Sequence, residues 1–180
     1  PWPLPLRLYG AAARLLLRPA HARVARRLAE QGVEAGRLRE RLGRATLPRP
    51  DGPLAWVHAA SVGEGLSVLP LVGRLRGRMH VLVTTGTAGS AAVLAGRLPE
   101  GAAHQFAPLD APQAVARFLG HWRPDLAVFV ESEIWPVTLR LAAARGVPLA
   151  LVNARLSPRS LRAWGRAPRT AAALLGLFDR

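Results

Sequence analysis

The chain has 180 residues, with 25 basic residues against 11 acidic ones, no cysteine and a formal net charge of +14. Its length fits one domain that buries a substantial core, and its hydrophobic fraction of 50% excludes a disordered polycation. The absence of cysteine excludes disulfides, thiolate nucleophiles and cysteine-type metal centres, and the five histidines stand at no metal-ligand spacing, which disfavours a histidine metal site.

The basic excess is confined to the two ends of the chain. Residues 1–50 carry a net charge of +8, residues 51–150 carry +1, and residues 151–180 carry +5. A nucleic-acid-binding domain more often spreads arginine over its folded face, between exposed aromatic residues. We therefore expect no nucleic acid partner, and instead an anionic membrane surface or a phosphorylated lipid.

Residues 1–48 form a basic amphipathic N-terminal segment. The apolar residues between Leu4 and Leu17 are interrupted by Arg7 and Arg14, and the stretch is shorter than the ~20 apolar residues that a bilayer-spanning helix takes. One interpretation is a membrane-associating helix that lies in the interface. The other is an ordinary amphipathic helix packed on its own domain, and the sequence does not decide between them.

From residue 49 onward, short runs rich in Val, Leu and aromatic residues alternate with longer segments rich in Ala, Leu and Arg. This is the pattern of parallel strands joined by crossover helices. The predicted strands cover residues 54–60, 80–85, 104–109, 125–130 and 148–152. The predicted helices cover residues 65–76, 88–97, 111–121, 136–144 and 161–177, the last interrupted near Pro168. We therefore predict an α/β domain with a Rossmann-like, doubly wound parallel sheet over residues 49–180.

Ligands of doubly wound sheets bind in the crevice at the carboxyl ends of the strands. The polar residues of the nearly neutral middle region stand just after the predicted strands. Three of its seven acidic residues, Glu64, Glu131 and Glu133, are expected to meet at this edge. This convergence predicts a functional site there.

Each of these loops also has a purely structural interpretation. Ser61 and Glu64 have the spacing of a capping box, which is compatible with a chemical role because a helix N-terminus favours a charged carboxylate. The loop with Gly86 and Gly89 either holds an anion on its backbone N–H groups or forms only a tight turn.

Three further residues leave alternatives open. Glu131 and Glu133 would point the same way in an extended strand and repel, which would raise one pKa; otherwise they are two solvated loop acids. Arg155 either clamps a carboxylate or phosphate or lies at the surface. His58, inside a predicted strand, is interpreted as a satisfied core histidine and not as a base.

Five motifs follow one another at the ends of the predicted strands. They are Trp56-Val-His-Ala-Ala-Ser-Val-Gly-Glu64, Thr84-Thr-Gly-Thr87, Ala107-Pro-Leu-Asp110, Val130-Glu-Ser-Glu-Ile-Trp-Pro136 and Asn153-Ala-Arg-Leu-Ser157. Together they resemble the N-terminal domain of 3-deoxy-D-manno-octulosonic acid (Kdo) transferase, which adds Kdo to the lipid A precursor. The resemblance runs from about residue 39 to the end of the chain. Residues before 39 resemble only in character the membrane-associating segment of that family.

The resemblance implies a GT-B glycosyltransferase, in which two Rossmann-like domains face each other across the active site. This chain would be the N-terminal half, with residues 49–180 as the acceptor-binding domain and the C-terminal, donor-binding domain absent. By position, Glu64 resembles the general base and Glu131 the residue assigned to transition-state stabilisation, and the reaction needs no metal or other cofactor. The strand-end loops are further expected to bind the acceptor through Ser61, Gly63, Thr84, Gly86, Thr87, Glu133, Asn153 and Arg155.

The expected function is transfer of Kdo from CMP-Kdo to the lipid A precursor, lipid IVA, in lipopolysaccharide biosynthesis. The expected place is the cytoplasmic face of the bacterial inner membrane, with the protein peripheral or anchored by its N-terminus and partnered by its own C-terminal domain. We expect no turnover from this chain alone. Two alternatives stay open: the acceptor half of another GT-B transferase that acts on a membrane lipid, and a non-catalytic module that binds anionic lipid or polymer.

Overall fold

The computed structural model describes residues 2–155 and 158–179. Its centre is a five-stranded parallel sheet with the strand order β3-β2-β1-β4-β5. The strands are β1 (Leu54–His58), β2 (His80–Thr85), β3 (Ala102–Phe106), β4 (Leu126–Val130) and β5 (Leu149–Val152). The sheet grows outward from β1 in both directions, so its winding reverses between β1 and β4. The predicted Rossmann-like, doubly wound sheet is confirmed.

Helices alternate with the strands, as the sequence pattern predicts. Before the first strand come α1 (Leu4–Glu30), α2 (Ala35–Leu38) and a 3₁₀ turn over Arg39–Leu42. The helices between and after the strands are α3 (Val62–Ser67), α4 (Leu69–Arg76), α5 (Ala88–Ala95), α6 (Pro112–Trp122), α7 (Pro136–Ala143), α8 (Pro158–Gly165) and α9 (Pro168–Leu175).

Some predicted boundaries differ from the structure. The first strand ends two residues earlier than predicted, because the chain turns there to place Ser61 at the N-cap of α3. The predicted helix 65–76 is two helices, since Val68 ends α3 and Pro70 stands in the first turn of α4, where its missing N–H costs no hydrogen bond. The third strand begins at Ala102, two residues earlier than predicted, because its pairing with β2 starts there.

Both faces of the sheet are covered, and each face has its own apolar core. On one face Trp56 and Phe129 pack against Phe118 of α6, with the Trp56 and Phe118 ring centroids 4.6 Å apart. On the other face Val57 and Val83 pack with apolar side chains of α4 and α5. Because both sides of each strand are buried, the strands appear in the sequence as continuous apolar runs and not as alternating ones.

The helix α1 packs on the sheet domain along one of its faces. Leu6, Leu17 and Leu28 are buried at spacings of 11 residues, which is close to three helical turns and places them on one stripe. This stripe faces α6, α7 and the 3₁₀ turn. The interpretation of a helix packed on its own domain therefore holds for this face. The other side carries exposed leucines, and no helix in the described ranges has the length and apolarity to span a bilayer.

Candidate active site

A pocket opens at the carboxyl edge of the sheet, beside the point where the winding reverses between β1 and β4. It contains about 470 Å³ of empty space, including its open mouth. Its lining comes from β1, from the segments that follow β1, β2, β3 and β4, from the first turn of α7 and from the 3₁₀ turn. The lining residues are Arg41, Trp56, His58, Ala60, Gly86, Ala107, Pro108, Leu109, Asp110, Glu133, Trp135 and Thr138. This is the place where open α/β sheets bind their ligands.

His58 is buried at this pocket and is held by a chain of hydrogen bonds. Its Nδ1 lies 2.9 Å from Thr84 Oγ1, and its Nε2 lies 3.2 Å from Glu133 Oε2. Trp56 Nε1 donates to the same Thr84 hydroxyl at 2.8 Å. Because the hydroxyl oxygen accepts from the indole, its own proton is free to go to Nδ1, which leaves the imidazole proton on Nε2, facing the carboxylate. The prediction of a satisfied buried histidine is confirmed.

Glu133 is held in its ionised form by its neighbours. Burial alone would raise its pKa, but hydrogen bonds from His58 and from Trp135 Nε1, at 2.6 Å, outweigh burial and bring the pKa below its ordinary value of 4.5. Of the two interpretations given for this pair of acids, the raised pKa is therefore wrong for Glu133. Glu133 is positioned as a hydrogen-bond acceptor at the pocket wall and not as a proton donor.

Glu131 and Glu133 point to different partners, and Glu131 is not part of an extended strand, which was the condition for the interpretation that they repel. The strand β4 ends at Val130, and Glu131 lies in a turn with a left-handed φ of 57°. Its carboxylate accepts from Asn153 Nδ2 at 3.3 Å, and Asn153 is itself left-handed, with a φ of 52°. Two non-glycine residues in this sparsely populated region, facing each other across β4 and β5, indicate a constrained site edge.

Glu64 closes the N-terminus of α3 in a capping box. Ser61 Oγ accepts from the Glu64 amide at 3.3 Å, while the Glu64 carboxylate accepts from the Ala60 amide at 2.9 Å and from the Ser61 hydroxyl at 2.8 Å. The Ser61 half of the predicted capping box is confirmed, whereas the return bond of Glu64 comes from the Ala60 amide, one residue before the N-cap. Each carboxylate oxygen still has a lone pair to offer. Glu64 is not itself a lining residue of the pocket, but its carboxylate accepts a hydrogen bond from Ala60, which is one.

The predicted acceptor residues at the end of β2 and in the loop after it differ in burial and in hydrogen-bond partners. Thr84 is completely buried, and its hydroxyl is used by Trp56 and His58, so its assignment to acceptor binding needs correction: it supports His58 from inside the sheet. Thr87 caps α5 by accepting from the Ser90 amide at 3.1 Å. Gly86 lines the pocket, and a Cβ there would meet no atom within 4 Å.

The remaining predicted acceptor residues lie at the exposed rim of the same edge. Gly63 is exposed in the first turn of α3, and Arg155 is exposed after β5. The backbone oxygen of Arg155 accepts from the Ser132 hydroxyl, which ties the loop after β4 to the loop after β5. Residues 156 and 157, the last two of the fifth motif, lie outside the described residues.

The structure adds to the pocket residues that the sequence analysis did not assign. Asp110 accepts from the Thr138 amide at 2.7 Å and from the Thr138 hydroxyl at 2.6 Å, so it caps α7. Trp135, with 41% of its surface exposed, presents an aromatic ring at the wall. Both stand in the strand-end motifs and could have been assigned from them. Arg41 comes from the 3₁₀ turn before the first strand, and no local signal places it at the sheet edge.

No group of three or more His, Asp or Glu side chains is arranged to hold a metal ion within residues 2–155 and 158–179. The polar groups of the pocket are thus carboxylates, an imidazole, a hydroxyl and a guanidinium, beside two indole rings. Carboxylates accept hydrogen bonds from hydroxyls, and aromatic faces pack against the apolar faces of rings. Such a lining suits a ligand with several hydroxyl groups.

Comparison with known proteins gives one consistent family. The family model described as 3-deoxy-D-manno-octulosonic-acid transferase (kdotransferase) matches residues 36–180. The chain is similar to a 3-deoxy-D-manno-octulosonic acid transferase of Rickettsia bellii, with 38% identity over 162 residues, covering 88% of this chain and 38% of that protein.

Two other relatives match shorter stretches. A 3-deoxy-D-manno-octulosonic acid transferase of Rickettsia felis is 45% identical over 114 residues, covering 62% of this chain and 24% of that protein. A probable 3-deoxy-D-manno-octulosonic acid transferase, mitochondrial, of Arabidopsis thaliana is 41% identical over 128 residues, covering 69% and 29% respectively. The chain therefore spans between 24% and 38% of the length of these three relatives.

Proposed function

Because this chain belongs to the 3-deoxy-D-manno-octulosonic-acid transferase family, we propose that it is the acceptor-side half of a GT-B glycosyltransferase that transfers Kdo. The donor is CMP-Kdo, held mainly by a second Rossmann-like domain, and the acceptor is the lipid A precursor, lipid IVA. The observation that carries this proposal is the family match over residues 36–180, which includes the acids and glycines at the carboxyl edge of the sheet. The pocket at that edge has the lining expected for a sugar.

Glu64 is the general base of the proposed reaction. An acceptor hydroxyl oxygen attacks the anomeric carbon of Kdo, the bond from that carbon to the phosphate oxygen breaks, and CMP leaves with the electron pair. The proton of the attacking hydroxyl goes to the Glu64 carboxylate. The bonds from the Ala60 amide and the Ser61 hydroxyl fix the orientation of this carboxylate before the substrate arrives.

Glu131 is the residue that we assign to transition-state stabilisation. Positive charge develops at the anomeric carbon as the leaving group departs, and a preorganised carboxylate lowers the free energy of that state. The hydrogen bond from Asn153 and the left-handed backbone hold Glu131 in one orientation. The neighbouring groups Gly63, Gly86, Thr87, Glu133 and Arg155 form the surface that receives the acceptor sugar.

The substitution Glu64→Gln in the full-length enzyme tests the base assignment. Glutamine is accepted at this position of a capping box, so the helix start is retained while the proton acceptor is lost. We expect kcat for Kdo transfer to lipid IVA to fall by about 10²- to 10⁴-fold, the usual contribution of a general base, with an unchanged melting temperature. Transfer is measured with CMP-Kdo and lipid IVA in detergent micelles.

Glu100→Gln is the matched control, because it removes one exposed carboxylate away from the pocket. It should leave kcat unchanged. If Glu64→Gln transfers Kdo at the wild-type rate, the base lies elsewhere. If the wild-type enzyme uses a different membrane lipid in preference to lipid IVA, the acceptor assignment is wrong while the family stands.

We also propose that the protein works at the cytoplasmic face of the bacterial inner membrane, bound peripherally through α1. Leu4, Leu8 and Leu15 recur at spacings of four and seven residues, which places them on one stripe opposite the packed face. Leu15 is 81% exposed and Leu8 is 60% exposed. Arg7, Arg14 and Arg18 flank this stripe, so apolar and basic groups meet the interface together.

A further inference from the structure

We propose that Arg41 binds a phosphate group of the acceptor sugar in the pocket at the sheet edge. The proposal rests on the function proposed above and names a specificity residue for it. Arg41 belongs to the 3₁₀ turn Arg39–Leu42, and its side chain lines the pocket formed by the strand ends. Arg41 thus places a cation at the pocket wall, although it precedes the first strand in the sequence.

The guanidinium of Arg41 is held from one side only. Its Nη1 donates to the backbone oxygen of Ala107, at the end of β3. Its Nε is buried and has no hydrogen-bond partner among the described residues. A buried N–H without an acceptor is costly, so a group that brings an acceptor oxygen to this guanidinium gains that free energy on binding.

The guanidinium of Arg41 also has no direct ion-pair partner among the described residues. Burial lowers the pKa of Arg41 to about 10, so the group remains protonated at neutral pH despite the cost of desolvation. A partly buried cation without a direct ion-pair partner favours an anionic ligand.

Two carboxylates face the same pocket, and both are already engaged by donors of the protein. Asp110 accepts from the Val137 amide, the Thr138 amide and the Thr138 hydroxyl, and Glu133 accepts from His58 and Trp135. Their remaining lone pairs can accept from ligand hydroxyls, and their negative charge disfavours an anionic ligand group placed directly beside them. The ligand that fits has an anionic group at Arg41 and hydroxyls toward the carboxylates, which is the chemistry of a phosphorylated sugar.

Packing alone does not account for an arginine at this position. The backbone of Arg41 is fixed independently of its side chain, since its carbonyl oxygen accepts from the Leu109 amide at 2.8 Å. An apolar side chain would fill the same space without burying a charge. Phosphate oxygens, by contrast, match the planar donor fork of a guanidinium.

The test uses the full-length enzyme with two acceptors, lipid IVA and the same lipid after enzymatic removal of its phosphates. Arg41→Gln removes the cation and keeps a donor for the Ala107 carbonyl, and Arg39→Gln, an exposed arginine two residues earlier, is the control with the same charge change. We expect Arg41→Gln to raise KM for lipid IVA about 10- to 100-fold, the effect of losing a charged hydrogen bond, with little change for the dephosphorylated lipid. Arg39→Gln should change neither KM.

Three results would overturn the proposal. An equal rise in KM for both acceptors would show that Arg41 only positions the pocket. An unchanged KM for lipid IVA would show that no phosphate is bound there. A rise in KM for CMP-Kdo alone would assign the guanidinium to the carboxylate of the donor.

A second variant and a second measurement keep the test decisive. If Arg41→Gln does not fold, Arg41→Lys replaces it; lysine keeps the positive charge but lacks the planar donor pair of a guanidinium. Arg41→Lys should raise KM for lipid IVA and leave KM for the dephosphorylated lipid unchanged. An equal change in the two KM values contradicts the proposal. If the wild-type enzyme transfers no Kdo, the proposed function fails. Calorimetry then still tests the phosphate contact, by comparing the affinity of wild type and of Arg41→Gln for each lipid. An equal loss of affinity for both lipids contradicts the contact, and a loss of affinity for lipid IVA alone supports it.

Discussion

The three acidic residues at the carboxyl edge of the sheet accept hydrogen bonds from different donors. Glu133 accepts from an imidazole and an indole, Glu131 accepts from an amide side chain, and Glu64 accepts from a backbone amide and a hydroxyl. Hydrogen bonds to the charged form stabilise it, which is why the pKa of Glu133 is lowered in spite of its burial. Each of the three carboxylates at this sheet edge is therefore oriented by donors of its own.

The lowered pKa of Glu133 has a consequence for acid stability. Its folded-state pKa lies below the ordinary value of 4.5, so it stabilises the fold above that pH, and this contribution disappears as pH falls through the folded pKa. We expect Glu133→Gln to have a lower free energy of unfolding than wild type at about pH 6. Between about pH 5 and pH 3, the free energy of unfolding should fall less for Glu133→Gln than for wild type. Urea unfolding at several pH values measures both quantities.

The exposed carboxylate of Glu30, which pairs with Arg26 at 3.8 Å on the surface of α1, provides the control. Glu30→Gln removes one carboxylate without touching the pocket, and exposed ion pairs contribute little to stability. Its unfolding curve should follow wild type at each pH more closely than that of Glu133→Gln. Identical acid limbs for Glu133→Gln and wild type would show that His58 and Trp135 do not favour the ionised form.

At the scale of elements, a short segment fastens the N-terminal helices to the sheet. Glu40 is fully buried; it accepts from the Phe106 amide at 2.7 Å, from Arg37 Nε at 3.1 Å and from the Thr46 hydroxyl. His104 contacts Arg37. Burial and, after it, the charge of Arg37 lower the pKa of His104 to about 4, so its imidazole is neutral at neutral pH and Arg37 is the cation beside Glu40. The network fixes the register between the 3₁₀ turn and β3, and the register places the side chain of Arg41.

Gly43, which ends the 3₁₀ turn, is required by geometry. Its φ is 75°, and a Cβ at this position would lie 1.9 Å from the Ala114 carbonyl oxygen of α6. We expect Gly43→Ala to lower the free energy of unfolding by about 2 kcal/mol or more, from the left-handed backbone together with the clash. Chemical denaturation measures the loss.

Gly32→Ala separates the two contributions. Gly32 has a similar φ of 80°, but a Cβ there would meet no atom within 4 Å. Its cost should be about 1 kcal/mol, the backbone contribution alone. Equal losses for the two variants would mean that α6 moves away from Gly43 without cost, and that the close contact does not hold the turn.

For the whole molecule, the distribution of charge agrees with two separate surfaces. The nearly neutral middle of the chain forms the sheet and its acidic edge. The basic first 50 residues form α1, α2 and the 3₁₀ turn. One face of α1 packs on the domain, and the opposite stripe with the exposed Leu8 and Leu15 is the surface that we propose for the membrane contact.

We expect the double variant Leu8→Ser/Leu15→Ser to bind vesicles of phosphatidylethanolamine and phosphatidylglycerol at least tenfold more weakly than wild type. Burial of a leucine side chain contributes about 1.5 kcal/mol or more, and neither residue is used by the core. Leu47→Ser/Leu66→Ser changes two exposed leucines outside α1 and should bind as wild type does. Co-sedimentation measures binding, and equal binding by the two double variants would exclude α1 as the membrane contact.

The sequence by itself was enough for the sheet and for the place of the site. Buried parallel strands must be apolar on both faces, so they stand out as continuous runs, and their carboxyl ends then locate Glu64, Glu131 and Glu133 at one edge. The spacing of Ser61 and Glu64 likewise predicted that Ser61 caps α3, because a helix N-cap depends on neighbours in the sequence.

Contacts between distant segments were decided only by the tertiary structure. The direction of Glu133 depends on His58, which lies 75 residues away, and that contact reverses the expected pKa shift. The presence of Arg41 in the pocket depends on Glu40 bonding to β3 across 66 residues. The two faces of α1 were distinguished by what packs against them. Local pattern carries backbone geometry and burial, whereas the partner of a side chain is fixed only when the chain has folded.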